Sequence, residues 1–400
     1  MAVTTARTPR APSTPAGSSL FYRPEVRQTA YQIVLVAGLG WLFWSMYHNA
    51  STNLAKQNVG AGLAFLDRTA GFDISQTLIP YSAQSTFRDA ILVGLVNTLV
   101  ISALGIVLAT LFGFLMGIAR LSSNWLVARI ASAYVEIARN VPLLLQLFVW
   151  YFAVLAHLPR AKDAVALPGG GFLSVRGLYL PKPVAEPGFG FVLAAFGLGL
   201  VVALAFAWIS RQRQQKTGQR LPVLWVTLGS MVVLPLLAYF AAGQPLSFDA
   251  PKLAGFNFAG GMALQPELVA MLLGLVFYTG GYIAEIVRAG IAGVGKGQKE
   301  AARALGLPTG LMMRLVVIPQ AMRIIIPPLT SQFLNLTKNS SLGIAIAYPD
   351  LTHVLANTTL NQTNQALETI AILMAIYLTL SLATSLFMNW FNARMALVER

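Results

Sequence analysis

Eight long apolar runs constrain the fold more than any other feature of this sequence. A helix of about 20 apolar residues spans the roughly 30 Å hydrocarbon core of a bilayer. Of the 400 residues, 56% are hydrophobic and 10% are charged, whereas a soluble domain carries about 25% charged residues. The sequence therefore predicts an all-α, polytopic integral membrane protein. The predicted spans are 31–47, 90–119, 140–157, 189–209, 221–242, 267–290, 322–347 and 367–391.

Residues 1–30 have a different composition from the spans. They combine Arg7, Arg10, Arg23 and Arg27 with four prolines and several Ser and Thr. A segment with so little apolar surface cannot bury enough of it to offset the entropy of ordering. We therefore predict a disordered, basic cytoplasmic tail.

The run 31–47 is compatible with a signal peptide or with a retained first span. No small-residue cleavage pattern follows it, and Trp41 and Trp44 suit anchors at a membrane interface. This favours an extra N-terminal transmembrane helix.

The basic residues predict the orientation of the spans. Lys and Arg are concentrated in the cytoplasmic loops of membrane proteins. With the N-terminus inside, 19 of the 28 Lys and Arg lie in inner segments and 8 in outer ones, while Lys338 lies within a span. Both termini are therefore predicted to be cytoplasmic, with 48–89 and 158–188 as outer loops. The net charge of +14 is scattered between apolar runs, unlike the single basic face of a nucleic-acid binder.

Residue types exclude several enzyme classes. The chain has no cysteine, and its histidines, His48, His157 and His353, are isolated, so we expect no thiolate chemistry, no metal site and no cofactor. No Gly-x-x-x-x-Gly-Lys-Ser/Thr phosphate loop is present. The glycines of Gly197-Leu198-Gly199 lie in an apolar run and suit helix packing. The chain is predicted not to be an enzyme.

The stretch between the sixth and seventh spans carries the most specific pattern. Glu300-Ala301-Ala302 opens a run of good helix formers, Gly306 stands where a left-handed cap would end it, and Pro308 prevents continuation. A second segment, 312–318, then leads to Pro319.

This loop resembles the EAA signature of bacterial ABC importer permeases, in which Glu-Ala-Ala, Gly and an aliphatic-Pro ending recur at this spacing. The resemblance implies a five-helix type I importer core and a coupling helix that seats on a separate ATPase. It also implies an ATPase dimer, a second homologous permease chain and a periplasmic amino-acid-binding protein as partners in the inner membrane. The residues implied at the ATPase contact are Glu300, Ala301, Ala302, Ala304 and Gly306.

Three further stretches resemble the polar amino-acid permeases within that family: 139–146, 282–291 and 336–342. The resemblance covers 90–392 except for about 160–260, which holds two extra helices. This layout is most similar to the larger, Q-type permeases of general L-amino acid transport systems. Import of polar amino acids is what the resemblance implies.

Polar residues inside the spans have two interpretations. Glu136 with Arg139, and Glu285 with Arg288, have the three-residue spacing of ion pairs on one helix face. Other polar residues could line a path for an amino-acid zwitterion or could tie helices together by hydrogen bonds. We also expect Pro327-Pro328 to break the seventh span. The candidates for the path are Asn97, Gln146, Asn335, Lys338 and Asn339.

An ion- or proton-coupled secondary transporter is the alternative function. Such a transporter would need acidic residues deep in the bilayer, whereas the membrane carboxylates here lie near the ends of their spans. A membrane-bound enzyme is not supported, because no cluster of His, Asp or Glu occurs.

Overall fold

The structure is a computed structural model that describes residues 24–56, 62–219 and 221–395. Most of the predicted 1–30 tail therefore lies outside the described residues. The helices are α1 (Pro24–Lys56), α2 (Phe87–Ala119), α3 (Trp125–Asn140), α4 (Leu143–Phe148), α5 (Phe189–Thr217), α6 (Val223–Ala241), α7 (Pro266–Ala292), α8 (Lys296–Ala304), α9 (Thr309–Met312), α10 (Ile318–Asn339), α11 (Leu360–Thr363) and α12 (Ala366–Met395).

Within the described residues, seven helices are long and apolar enough to cross a membrane, or eight if the bent pair α3 and α4 counts as one span. This confirms the predicted helical membrane fold. Helix α1 begins at Pro24, seven residues before the predicted start of the first span, and proline is favoured at a first helical position. Its apolar side chains, Trp41 among them, are exposed along its length.

The core is built on the packing of α2 against α7, which run in the same direction, with α10 and the short α3 and α4 around them. Small residues permit the close approach, because a Cβ atom at Gly113 would lie 2.6 Å from Cβ of Ile283, and one at Gly117 would lie 2.7 Å from the carbonyl oxygen of Ala284. Such contacts between small residues replace the hydrophobic driving force that is missing inside a membrane.

The third span is a bent pair of helices and not a straight one. Helix α3 ends at Asn140, α4 begins at Leu143, and their axes meet at 109°. Val141 is extended, since proline disfavours the helical conformation of the residue before it. Helix α4 continues as a π-helix to Val154 and a short 3-10 turn. Within the predicted span 140–157 the helix therefore begins at Leu143, and Pro142 is the reason.

The segment 158–188 is not the loop that its composition predicts, because it contains the strands β1 (Val165–Leu167), β2 (Gly171–Ser174), β3 (Gly177–Leu180) and β4 (Lys182–Ala185). The strands β5 (Leu246–Asp249), β6 (Lys252–Ala254), β7 (Asn257–Ala259) and β8 (Met262–Leu264) lie between α6 and α7. The glycines and prolines that suggested a loop occupy the turns, as Gly169 and Gly170 do with positive φ.

The strands make one four-stranded antiparallel sheet in the order β1-β2-β3-β8 and two two-stranded antiparallel sheets, β4-β5 and β6-β7. Pairing of β3 with β8 joins the segment before α5 to the segment after α6. Both segments therefore lie at the same end of the helices, as the charge distribution predicts. Helices α5 and α6 pack on each other, and a Cβ atom at Gly199 would overlap the carbonyl of Ser230, which agrees with the packing role predicted for this glycine.

Helix α10 runs unbroken through Pro327 and Pro328 and ends at Asn339. The expected break at the two prolines is therefore absent, as membrane helices tolerate proline where neighbouring groups compensate for the lost hydrogen bond. The chain instead changes to a 3-10 helix at Ser340–Ile346. A π-helix at His353–Thr359 then leads into α11 and α12.

Candidate functional sites: the α8 loop and the polar cavities

Helix α8 ends in a Schellman motif. Gly306 has φ of +74°, its N–H donates to the carbonyl of Arg303 at 2.9 Å, and the N–H of Leu307 donates to the carbonyl of Ala302 at 3.1 Å. These are the two hydrogen bonds that define the motif, and the left-handed residue between them is usually glycine. The positive φ that the sequence predicts at Gly306 is present.

The faces of α8 differ in exposure. Ala302 is 3% exposed and packs in the protein's own core with Met312 and Val317. It is therefore not available to a partner, because its side chain points inward. Leu305, at the end of the helix, is 79% exposed. Leu305 is not among the residues predicted from the sequence, although an apolar residue directly before the capping glycine is a visible signal.

Glu300, Ala301 and Ala304 are exposed beside Leu305, so they form with it one outward surface, the α8 surface. Two hydrogen bonds connect α8 to its neighbouring helices, α7 and α10. The Lys299 ammonium donates to the carbonyl of Ile291 at 3.4 Å, and Gln320 donates to Gln298 at 3.3 Å. The α8 surface is thus a short, positioned helix face with small side chains and one large apolar residue.

Of the two charge pairs expected on single helices, the structure brings one together. Arg288 contacts Glu285 at 2.5 Å, and Arg120 at the end of α2 forms a second ion pair with Glu285. Glu136 and Arg139 form no ion pair in the described part of the chain. The Arg139 guanidinium instead lies 5.5 Å from the ring centroid of Tyr282, within the range of a cation–π contact.

Two of the candidates for the path, Asn97 and Gln146, form hydrogen bonds to backbone carbonyls. The Asn97 side-chain amide donates to the carbonyls of Gln76 and Pro349 at 2.8 and 2.9 Å. The Gln146 amide donates to the carbonyls of Ala138 and Val141 at 2.9 and 2.8 Å, so it satisfies carbonyls freed at the bend between α3 and α4. Both side chains are buried, which favours the helix-tying interpretation for this pair.

Asn335 and Asn339 line a polar cavity of about 230 Å³ between α7 and α10, which we call the α7–α10 cavity. Its other lining residues are Tyr278, Thr279, Tyr282 and Gln332. None of these four is among the path residues predicted from the sequence. The spacing of Gln332, Asn335 and Asn339, three and then four residues apart, places them on one helix face and is the signal that could have found them.

Lys338 lines a different cavity of about 480 Å³ between α10 and α12. Beyond this cavity lies Asp350, a buried carboxylate that the sequence analysis also missed. Asp350 accepts hydrogen bonds from the backbone N–H of His353 at 2.8 Å and the Tyr377 hydroxyl at 3.2 Å. Burial raises the pKa of Asp350 to about 6 and lowers that of His353, because burial disfavours charge.

Comparison with known proteins identifies the family. The sequence profile described as "Binding-protein-dependent transport system inner membrane component" matches residues 195–397. The chain belongs to this family.

Its relatives agree with that membership over the full length of the chain. The general L-amino acid transport system permease protein AapQ of Rhizobium johnstonii is 50% identical over 96% of this chain and 95% of its own. The putative amino-acid ABC transporter permease protein YhdX of Escherichia coli is 50% identical over 97% and 99%. The glutamate/glutamine/aspartate/asparagine transport system permease protein BztB of Rhodobacter capsulatus is 41% identical over 96% and 97%.

This binding-protein-dependent transport component is accordingly a multi-pass inner membrane permease subunit, and a transport subunit of this kind is not itself catalytic. The predicted resemblance to ABC importer permeases is confirmed. The comparisons favour this function over a secondary transporter.

Proposed function

We propose that this chain translocates polar, general L-amino acids across the bacterial inner membrane, driven by ATP hydrolysis on a separate ATPase dimer. A second homologous permease chain completes the path, and a periplasmic amino-acid-binding protein delivers the substrate. Both termini and α8 face the cytoplasm. The core covers 90–392, with an insertion at about 160–260 and a coupling loop at 295–320, while the helix over 31–47 and the 1–30 tail are additions.

The α8 surface is the observation that carries this proposal. A short exposed helix with Ala301 and Ala304 allows a partner to approach closely, and Leu305 offers an apolar anchor at its end. Burial of an exposed leucine contributes about 1.5–3 kcal/mol. Gly306 ends the helix so that Leu305 stays outside while Ala302 turns inward. We therefore infer the ATPase contact from Glu300, Ala301, Ala304 and Leu305, with Gly306 shaping it.

The α7–α10 cavity is the proposed segment of the transport path. Neutral amides and hydroxyls supply both donors and acceptors, which an amino-acid zwitterion needs where water is scarce. Asn335 and Asn339 contribute amides, and Tyr278 and Tyr282 contribute hydroxyls. The names of the relatives, for general L-amino acids and for glutamate, glutamine, aspartate and asparagine, support the substrate class.

Purification and reconstitution test the proposal. The tagged chain should co-purify with an ATPase, identified by mass, and with a second permease chain. Vesicles that contain this complex should accumulate labelled L-glutamine only when the binding protein is outside and ATP is inside. Uptake by the isolated chain, driven by an ion gradient without any ATPase, would overturn the proposal.

A further inference from the structure

A third cavity lies at the opposite end of the helices from α8, where the insertion meets the core. Its volume is about 390 Å³, and we call it the rim cavity. The turn between β2 and β3 contributes Arg176, the first turn of α7 contributes Glu267, and the π-helix after α4 contributes Tyr151 and Phe152. The cavity thus depends on the sheet that the insertion adds.

Arg176 and Glu267 line the rim cavity with opposite charges. They form no ion pair in the described part of the chain, where the ion pairs are Arg88–Asp67, Arg120–Glu285 and Arg288–Glu285. The two charges therefore face one space without neutralising each other at contact distance. A ligand with a positive and a negative group would complement both.

Tyr151 fixes the carboxylate in place. Its hydroxyl donates to Oε1 of Glu267 at 2.8 Å, which leaves Oε2 as an acceptor for an ammonium group. The guanidinium of Arg176 can bind a carboxylate through two parallel hydrogen bonds. Phe152 and Leu155 supply an apolar wall, which suits side chains of varied chemistry better than a dedicated polar contact does.

We propose that the rim cavity binds the zwitterionic head group of a free α-amino acid, with Glu267 on the ammonium and Arg176 on the carboxylate. The rim cavity thus recognises the ammonium and carboxylate groups that all amino acids share. It can bind a substrate with any side chain before that substrate enters the α7–α10 cavity. This inference rests on the proposed transport of amino acids.

Direct binding to the purified permease–ATPase complex, without the binding protein, tests the proposal. The probes are L-glutamine, its α-methyl ester, which lacks the carboxylate charge, and N-acetyl-L-glutamine, which lacks the ammonium charge. We expect saturable binding of L-glutamine and binding weaker by about tenfold or more for each analogue, because each has lost one charge-assisted contact.

Two variants connect the charges to the residues. Arg176→Gln should weaken binding of L-glutamine by about tenfold but leave binding of the ester nearly unchanged, and Glu267→Gln should do the same for the N-acetyl analogue. The matched control is the exposed pair Lys182→Gln and Glu186→Gln, which belongs to the same insertion but does not line the cavity. The complex with these control substitutions should bind all three probes with the same affinity as the unmodified complex.

Two outcomes would overturn the proposal. One is that the unmodified complex transports L-glutamine with ATP but binds it no more tightly than the two analogues. In that case the proposed function would stand, and only the rim-cavity site would be excluded. The other is that both variants retain the unmodified affinity for L-glutamine. If the unmodified complex showed no ATP-driven uptake of L-glutamine, the proposed function itself would be contradicted.

Discussion

The backbone N–H of Leu307 donates to the carbonyl of Ala302 across the turn that ends α8, at 3.1 Å. On either side of this turn Ala302 packs in the core, whereas Leu305 is exposed. The hydrogen bond between Leu307 and Ala302 forms only because Gly306, between them, adopts φ of +74°.

Replacing Gly306 should therefore disturb coupling without preventing membrane insertion. Gly306→Val places a β-branched side chain at a positive φ, where it costs more than the roughly 1 kcal/mol expected for alanine. We expect normal amounts of the chain in the membrane and at least about a tenfold loss of ATP-driven uptake. Gly310→Ala is the matched control, because Gly310 lies in α9 without a positive φ and has open space around it. Equal uptake by both variants would contradict the role of the cap.

Gln146 should act on stability and not on substrate affinity. Gln146→Met keeps the volume but leaves the carbonyls of Ala138 and Val141 without their donor, at about 1–3 kcal/mol for each buried group left unsatisfied. The thermal unfolding midpoint of the purified complex should fall. Gln320→Met, which removes an exposed hydrogen bond to Gln298, should change stability by about 0.5 kcal/mol or less. If Gln146→Met instead raised KM for uptake with the midpoint unchanged, Gln146 would line the path after all.

Much of this outcome could be predicted from the sequence, and the remainder depends on distant contacts. The apolar runs identify the spans, and the Gly306-x-Pro308 pattern identifies the end of α8, because both signals are local. Asn97 shows the limit, since it donates to Pro349, a residue 252 positions away. The strands of the insertion were not predicted because short segments between Gly-rich turns resemble loops in sequence. Their strand conformation depends on long-range pairing, such as that of β3 with β8.

Asn335 and Lys338 were both predicted to line one path, but they line two different cavities. Asn335→Leu removes an amide from the α7–α10 cavity, and we expect it to reduce uptake at saturating L-glutamine about tenfold or more. Lys338→Met should have a smaller effect, because Lys338 lines the other cavity. Initial rates in reconstituted vesicles measure both. A larger loss for Lys338→Met would move the path to the cavity between α10 and α12.

Asp350 should make stability depend on pH. Its pKa rises from 3.8 to about 6 on folding, so the folded protein holds this proton more tightly than the unfolded chain does. The resulting stabilisation, about 3 kcal/mol, is complete below about pH 3.8 and is lost as the pH rises from there through about 6.

Asp350→Asn should remove this dependence. The difference in unfolding midpoint between the variant and the unmodified complex should increase in favour of the variant from pH 4 to about pH 6 and then level off. A difference that does not vary with pH over this range would show that Asp350 has the same pKa in both states.

The most direct test of the central claim, that α8 docks on a separate ATPase, uses the absence of cysteine from this chain. A single Leu305→Cys substitution carries a thiol-linked photo-crosslinker on the α8 surface. Phe256→Cys, at an even more exposed apolar residue between β6 and β7, carries it at the other end of the helices. We predict that light joins the ATPase to the chain labelled at position 305 and not to the chain labelled at position 256. No ATPase adduct from position 305 in a complex that still takes up L-glutamine with ATP, or equal adducts from both positions, would contradict the account.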